Sequence, residues 1–155
     1  MASGLDWDRI QYVVELGPGS GAFTEAIHAR MKPGTHALAI ELEPTYIATL
    51  RQQYSPQIEV VQGSATQIEA FVRERGWPRV DAVFSGLPFN VPEPVREELH
   101  PALLKLAAQG TSVRCFTYFP GPMKRAYFRF QCKRIQFVPR NFPPMWIYEL
   151  RSPSQ

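Results

Sequence analysis

Val13-Val14-Glu15-Leu16-Gly17-Pro18-Gly19-Ser20-Gly21-Ala22-Phe23-Thr24 decides how this chain folds. An apolar run containing one acid reaches Leu16, glycines alternate at 17, 19 and 21, and an amphipathic stretch follows. The pattern predicts a buried strand over 12–16, a loop, and a helix over 21–31 with Phe23, Ala26, Ile27 and Met31 on one face. Gly17 permits a tight turn, Gly19 lets backbone come close to a ligand, and Gly21 lets the helix pack near the strand. A helix opening here points free N–H groups and its positive dipole end at that ligand. Glu15 stands at the carboxyl end of the strand, beside the loop. Its carboxylate would repel a dinucleotide's pyrophosphate but welcome a cationic ligand bearing an amino group.

Outward from this stretch, strands and helices alternate. Strands are predicted over 35–42, 57–62, 80–85 and 111–118, and helices over 44–54, 65–75, 94–108 and 123–130. Pro94 suits a first helical turn, whereas Pro101 should kink or split its helix. Phe119-Pro120-Gly121-Pro122 reads as a break, and 132–138 with 146–150 as a closing pair of strands. This order argues an α/β fold: a parallel sheet with helices on both faces. The length of 155 residues fits one domain over 12–151, with a short lead (1–11) and a tail (152–155). Net charge is +3. Cys115 and Cys132 fall in predicted strands and read as buried thiols. Neither they nor the three histidines have metal-ligand spacing, so no metal is expected. With no leader and no long apolar run, a cytoplasmic protein is expected.

Glu41 ends the second strand, about twenty residues beyond the glycine loop, where one carboxylate can accept from both ribose hydroxyls. The spacing Glu-x-Gly-x-Gly-x-Gly over 15–21 resembles the first motif of class I S-adenosylmethionine (AdoMet) methyltransferases. The resemblance implies a Rossmann-like, seven-stranded, mostly parallel sheet with an antiparallel last strand. The helices that usually precede the first strand are missing from this reading. AdoMet is the implied cofactor. Its amino group would contact Glu15, and its methionine part the loop of Gly17, Pro18, Gly19 and Gly21. Glu41 would take the ribose, with Leu42 beside it. Related enzymes place an acid for the adenine amino group where Ser64 stands; the Ala65 N–H can serve adenine N1.

Ser85-Gly86-Leu87-Pro88-Phe89-Asn90 follows the fourth strand. It resembles the Asn/Asp-Pro-Pro-Tyr and Asn-Leu-Pro-Tyr motifs of amino-methyltransferases, with Gly86 at the asparagine position. The side-chain acceptor is lost there, but the carbonyls of Ser85 or Leu87 remain to orient an amine. Ser85 also borders the cofactor, and Phe89 offers a π-face. Tyr118 can hydrogen-bond the acceptor or serve as a core-edge tyrosine. Together with Arg-Asn-Phe-Pro-Pro at 140–144, these segments are most similar to bacterial phospholipid N-methyltransferases, a resemblance covering residues 12–151. It implies methyl transfer to an amine of a phospholipid head group or small metabolite. The late basic residues and interleaved aromatics suit peripheral membrane contact, nucleic acid, or a plain solvated face. Leu87-Pro88-Phe89-Asn90 also resembles ribosomal RNA adenine dimethyltransferases, a less favoured reading because of Gly86. A third reading is a non-catalytic AdoMet-binding domain completed by a partner. The uncovered cofactor face predicts a homo-oligomer, a dimer or larger.

Overall fold

Seven segments of the sequence form the strands of one sheet in the computed structural model, which describes residues 1–153. The strands are β1 (Tyr12–Leu16), β2 (His36–Glu41), β3 (Ile58–Gln62), β4 (Ala82–Ser85), β5 (Ser112–Thr117), β6 (Gln131–Val138) and β7 (Met145–Arg151). Their order in space is β3-β2-β1-β4-β5-β7-β6. Strands β1 to β5 pair in parallel, while β7 runs antiparallel to both neighbours, β5 and β6. The expected α/β sheet with an antiparallel last strand is therefore present.

Side chains alternate across the pleat and divide the core in two. Val14, Leu16, Leu38, Ile40, Val83, Val113 and Cys115 face one layer. That layer holds α3 (Ile68–Glu74), α4 (Glu93–Ala108) and α5 (Pro120–Ala126). Val13, Ala37, Ala39, Ala82 and Phe84 face the other, covered by α1 (Ala22–His28) and α2 (Pro44–Tyr54). No α-helix precedes β1 among the described residues. The first eleven residues instead form turns that bury Met1, Ala2, Trp7 and Ile10 on the second face. Trp7 stacks on Phe84 with centroids 6.3 Å apart. Buried Arg114 donates to the carbonyls of Met1 and Ser3 at 2.8 and 2.6 Å.

Local departures have local causes. Helix α1 stops at His28, because the Arg30 and Met31 N–H groups turn back to Ile27 and His28 carbonyls. The expected helix over 65–75 opens as a 3-10 turn (Ala65–Gln67) before α3. Helix α5 begins at Pro120 rather than 123: both prolines lie in its first turn, where a missing N–H costs nothing. Pro101 sits inside α4 without splitting it. The tail over 152–155 ends in two residues that lie outside the described ones.

Candidate functional site

The chain leaves β1 toward β2 and β3, then returns to form β4 on the other side of β1. A crevice must open at the carboxyl ends of β1 and β4, where the neighbouring connections diverge. The glycine loop closes its floor. Gly17 N–H donates to the Ile40 carbonyl at 2.9 Å and Gly21 N–H to the Pro18 carbonyl at 3.0 Å. Gly19 has φ +55°, and a Cβ built there would meet nothing within 4 Å. Backbone conformation, with open space above it, is thus what calls for glycine at 19.

Glu15 and Glu41 stand on the same face of adjacent strands, since Glu15 pairs with Ala39. Both are buried. One Glu41 oxygen accepts from the Gly19 N–H and the other from the Glu43 N–H, each at 2.9 Å. Its main-chain carbonyl accepts from Gly63 N–H at 2.9 Å. Glu41 thereby ties together the loops after β1, β2 and β3, with carboxylate lone pairs to spare for ligand hydroxyls. Glu15 is less satisfied. Its Oε2 accepts from the Thr24 hydroxyl at 2.7 Å, but its Oε1 is buried without a partner. Burial, followed by the charge of Glu41, raises its pKa from 4.5 to about 7 against the opposing Thr24 bond. An orphaned buried oxygen beside a second carboxylate is a socket for a cation with N–H donors.

Leu42 projects into solvent just past Glu41, an open apolar face at the crevice mouth. Ser64 has another task. Its hydroxyl accepts from Thr66 N–H at 3.3 Å and its N–H donates to Gln67 Oε1 at 3.0 Å, a capping box. The Ala65 N–H opens that turn, where N–H groups have no carbonyl within the helix. Ser85 has a buried side chain without a hydrogen bond. It pairs with Leu16 and Cys115, on the face opposite Glu15 and Glu41. Its hydroxyl lies near enough to the Tyr127 phenol to influence that group's acidity. Only the Ser85 main chain is left to serve the crevice.

Beyond Ser85 the chain crosses directly over the glycine loop. Gly86 N–H donates to the Leu16 carbonyl at 2.7 Å. A Cβ at 86 would stand 2.3 Å from the Gly17 carbonyl oxygen, and one at Gly17 would stand 2.6 Å from Leu87 Cδ2. Side-chain loss at 86 is therefore a packing requirement of this crossing. Gly86→Ala should cost about 1–3 kcal/mol in urea unfolding and loosen both loops. Unchanged unfolding with unchanged ligand affinity would refute that close crossing.

Gly86, Pro88, Phe89, Asn90, Phe116, Thr117, Tyr118 and Phe119 line a pocket of about 270 Å³. Its lining carries no ionisable acid or base other than the Tyr118 phenol. Phe89 and Phe119 meet edge to face at 6.5 Å, as do Phe116 and Tyr118 at 5.6 Å. Phe116 also meets Phe23 of α1 at 5.0 Å, which joins the pocket to the start of the helix after the glycine loop. Asn141, between β6 and β7, donates to the Tyr118 hydroxyl at a long 3.5 Å. Phe89 and Tyr118 thus share the pocket, while Leu87 packs on the loop instead. The sequence reading missed Thr24, Phe116, Phe119 and Asn141. Thr24 was within the decisive stretch, but nothing in its spacing pairs it with Glu15. Larger concavities of about 450 and 570 Å³ lie at the amino edge of the sheet, around Trp77, away from these loops. Among the described residues no acid, histidine and cysteine cluster could hold a metal ion.

A family profile described as a methyltransferase domain matches residues 13–110. An ornithine lipid N-methyltransferase of Singulisphaera acidiphila is 30% identical over 152 residues, covering 95% of this chain and 79% of that protein. A ribosomal RNA small subunit methyltransferase A of Burkholderia pseudomallei is 32% identical over 91 residues, covering 57% of this chain but only 33% of its own length. Among solved structures, TrmN from Thermus thermophilus superposes with a TM-score of 0.68 at 18% identity, covering 94% of this chain and 46% of that one. An O-methyltransferase from Bacillus cereus in complex with SAH gives 0.66 at 13%, covering 92% and 74%. At such identities the two structures speak for the fold alone.

Proposed function

The chain belongs to the class I methyltransferases, which use S-adenosyl-L-methionine, and from that premise we propose that it methylates the nitrogen of an amine carried by a lipid. The observation that carries this reading is the aromatic pocket opening beside the glycine loop, with no carboxylate, lysine, arginine or histidine in its wall. The similarity to an ornithine lipid N-methyltransferase over most of both chains supports it.

The residues present fit the cofactor. Glu15 Oε1 lacks a partner, as an acceptor for an ammonium would. Glu41 holds the glycine loop in place and keeps lone pairs for a ribose. Leu42 offers an apolar face to adenine, and Ala65 an N–H. We assign the adenine contact to that backbone donor and Leu42, because the Ser64 hydroxyl is engaged in its capping box. When bound, AdoMet supplies an electrophilic methyl group on a sulfonium.

The rest is positioning. An attacking amine must arrive neutral, with its lone pair free. A wall without a charged side chain favours the neutral form by desolvation. Main-chain carbonyls of Ser85 and Leu87 accept its N–H groups and so aim the lone pair, an orientation effect. Asn141 donates to Tyr118, so the phenol keeps its own proton to donate. That proton suits an acceptor oxygen, such as a head-group carbonyl or phosphate, better than a nucleophilic nitrogen. Phe89 and Phe119 can then face the cation that methyl transfer creates.

A base amine in RNA is the second reading, favoured by the ribosomal RNA methyltransferase relatives, about a third of whose length this chain spans. Against it, the crossing over Gly17 leaves no room at 86 for the asparagine of the resembled RNA enzymes. Methyl-labelled AdoMet incubated with amino lipids, RNA and small amines discriminates the readings. Label in the lipid fraction is expected; label in RNA alone, or in nothing despite AdoMet binding, overturns the proposal. Tyr118→Phe should lower turnover on the lipid about tenfold while leaving AdoMet affinity unchanged, the loss of one hydrogen bond.

A further inference from the structure

We infer that the sheet's carboxyl edge, at the side of β5 and β6, is the surface on which the protein docks to an anionic lipid bilayer. The inference rests on the lipid reading above and names the surface that would serve it.

Strands β4, β5 and β6 run in the same direction, so the segments leaving them gather at one edge. Phe119 leaves β5 and is 60% exposed; Phe142, between β6 and β7, is 99% exposed. The Asn141–Tyr118 hydrogen bond links these two segments at the acceptor pocket. Phe137, near the end of β6, is also exposed and lies against Trp146 at 5.0 Å. Leu42 leaves β2 at the same edge. Of the large apolar side chains exposed in the described residues, only Phe128 stands near the opposite edge, just before β6. A phenylalanine with its whole ring in water has no packing role in the folded chain. Gathered with others around the mouth of an apolar pocket, it marks a contact surface.

Charge selects the occupant. Residues 1–110 carry nine basic and thirteen acidic residues, a net charge of −4. Residues 111–155 carry eight basic residues against Glu149 alone, a net charge of +7. Of those eight, Arg114 is buried and Arg151 is paired with Glu149. Lys124, Arg125, Arg129, Lys133, Arg134 and Arg140 are exposed, and among the described residues none forms an ion pair; Arg140 follows the end of β6, whereas Arg129 and Lys133 lie with Phe128 near the other edge. Arg140 beside the aromatic tips, with Lys124 and Arg125 on the helix that follows β5, makes the pattern of an interfacial site: head-group phosphates take the charges and the acyl boundary takes the rings. Docked this way, the acceptor pocket faces the bilayer. A lipid head group would then reach it without its chains leaving the membrane.

Vesicle sedimentation tests the surface, using phosphatidylglycerol vesicles and phosphatidylcholine vesicles with the intact chain. Binding to the anionic vesicles, weakened by added salt, is expected. Phe142→Ser should lower that affinity about tenfold, the effect of one lost apolar anchor, and Arg140→Glu should lower it too. Phe128→Ser, at the other edge, should not. AdoMet binding by calorimetry confirms that each variant is folded. Equal vesicle affinity for Phe142→Ser and the parent overturns the surface. So does tighter retention by RNA than by anionic vesicles, or a dimer that forms through Phe142 and ignores vesicles. Methylation of detergent-solubilised amino lipid separates the two claims. Lipid methylation without vesicle binding sinks this surface and spares the function; vesicle binding without any lipid methylation does the reverse.

Discussion

Glu41→Ala should weaken AdoMet binding about 100-fold, close to 3 kcal/mol on the affinity scale. The carboxylate has two duties, and alanine removes both. It accepts the Gly19 and Glu43 N–H groups at 2.9 Å each, which holds the glycine loop against the loop after β2. It is also the proposed acceptor for two ribose hydroxyls. Hydrogen bonds to a charged group are worth about 1.5–3 kcal/mol each, so losing the ligand's pair alone accounts for the expected effect. Glu41→Gln separates the duties. Its amide oxygen can still accept from one loop, yet its NH2 faces the other N–H group as donor to donor. The neighbouring acid is the control: Glu43 is exposed and caps α2 through a long 3.4 Å bond to Thr45 N–H, so Glu43→Ala should leave affinity within about twofold. Calorimetric titration with AdoMet decides. If Glu41→Ala binds as the parent does, the ribose assignment is wrong.

What the sequence made legible follows from the range of the forces involved. Strands β1 to β5 and β7 could be read because each is a short, largely apolar run whose burial is written in its own residues, whereas the exposed β6, with Lys133 and Arg134, is read only as the partner of β7. The glycine loop could be read because positive φ and close approach leave few residue choices. Helix α5 was misplaced because Pro120 and Pro122 end one element or begin another with equal ease, and only the packing of Met123 beneath the sheet decides. The buried lead was hidden for a different reason. Met1 and Ser3 are held by Arg114, more than a hundred residues away, and no local pattern carries such a contact. Gly86 was read as a lost asparagine. Its real constraint, the Gly17 carbonyl, lies on another strand's loop. The pocket was half visible for the same cause: Phe89 and Tyr118 follow recognisable motifs, whereas Phe116, Phe119 and Asn141 meet only after β4, β5, β7 and β6 are assembled in that order.

Glu15→Gln should stabilise the ligand-free protein at alkaline pH while depriving it of tight AdoMet binding. The sign follows from the proton count. Glu15 titrates near 4.5 in an unfolded chain and at about 7 in the folded one. Below pH 4.5 both states are protonated and the group is neutral toward folding. Between the two values the folded state holds a proton that the unfolded state has lost, so stability falls as pH rises. Above 7 the folded protein carries a buried, half-partnered carboxylate next to Glu41, at a cost of about 3 kcal/mol. Glutamine keeps an oxygen for the Thr24 hydroxyl and carries no charge. The variant's advantage in urea unfolding should thus be nil at pH 4 and grow to about 3 kcal/mol at pH 8. Ligand binding runs the other way, because the ammonium needs the carboxylate that folding disfavours. In the parent, affinity should climb about tenfold per pH unit below 7 and flatten above it. It should fall again once the ligand's own α-amino group loses its proton, near pH ~8. In Glu15→Gln the rise below 7 should vanish, and affinity at pH 7.5 should be lower by at least about 150-fold, since a buried charge pair broken on one side costs about 3–5 kcal/mol. A stability difference that is flat from pH 4 to 8, or a parental affinity that ignores pH across 6–7, would show that Glu15 does not meet the ligand's ammonium. The same carboxylate that weakens the empty fold is, on this account, what selects a sulfonium amino acid over a dinucleotide.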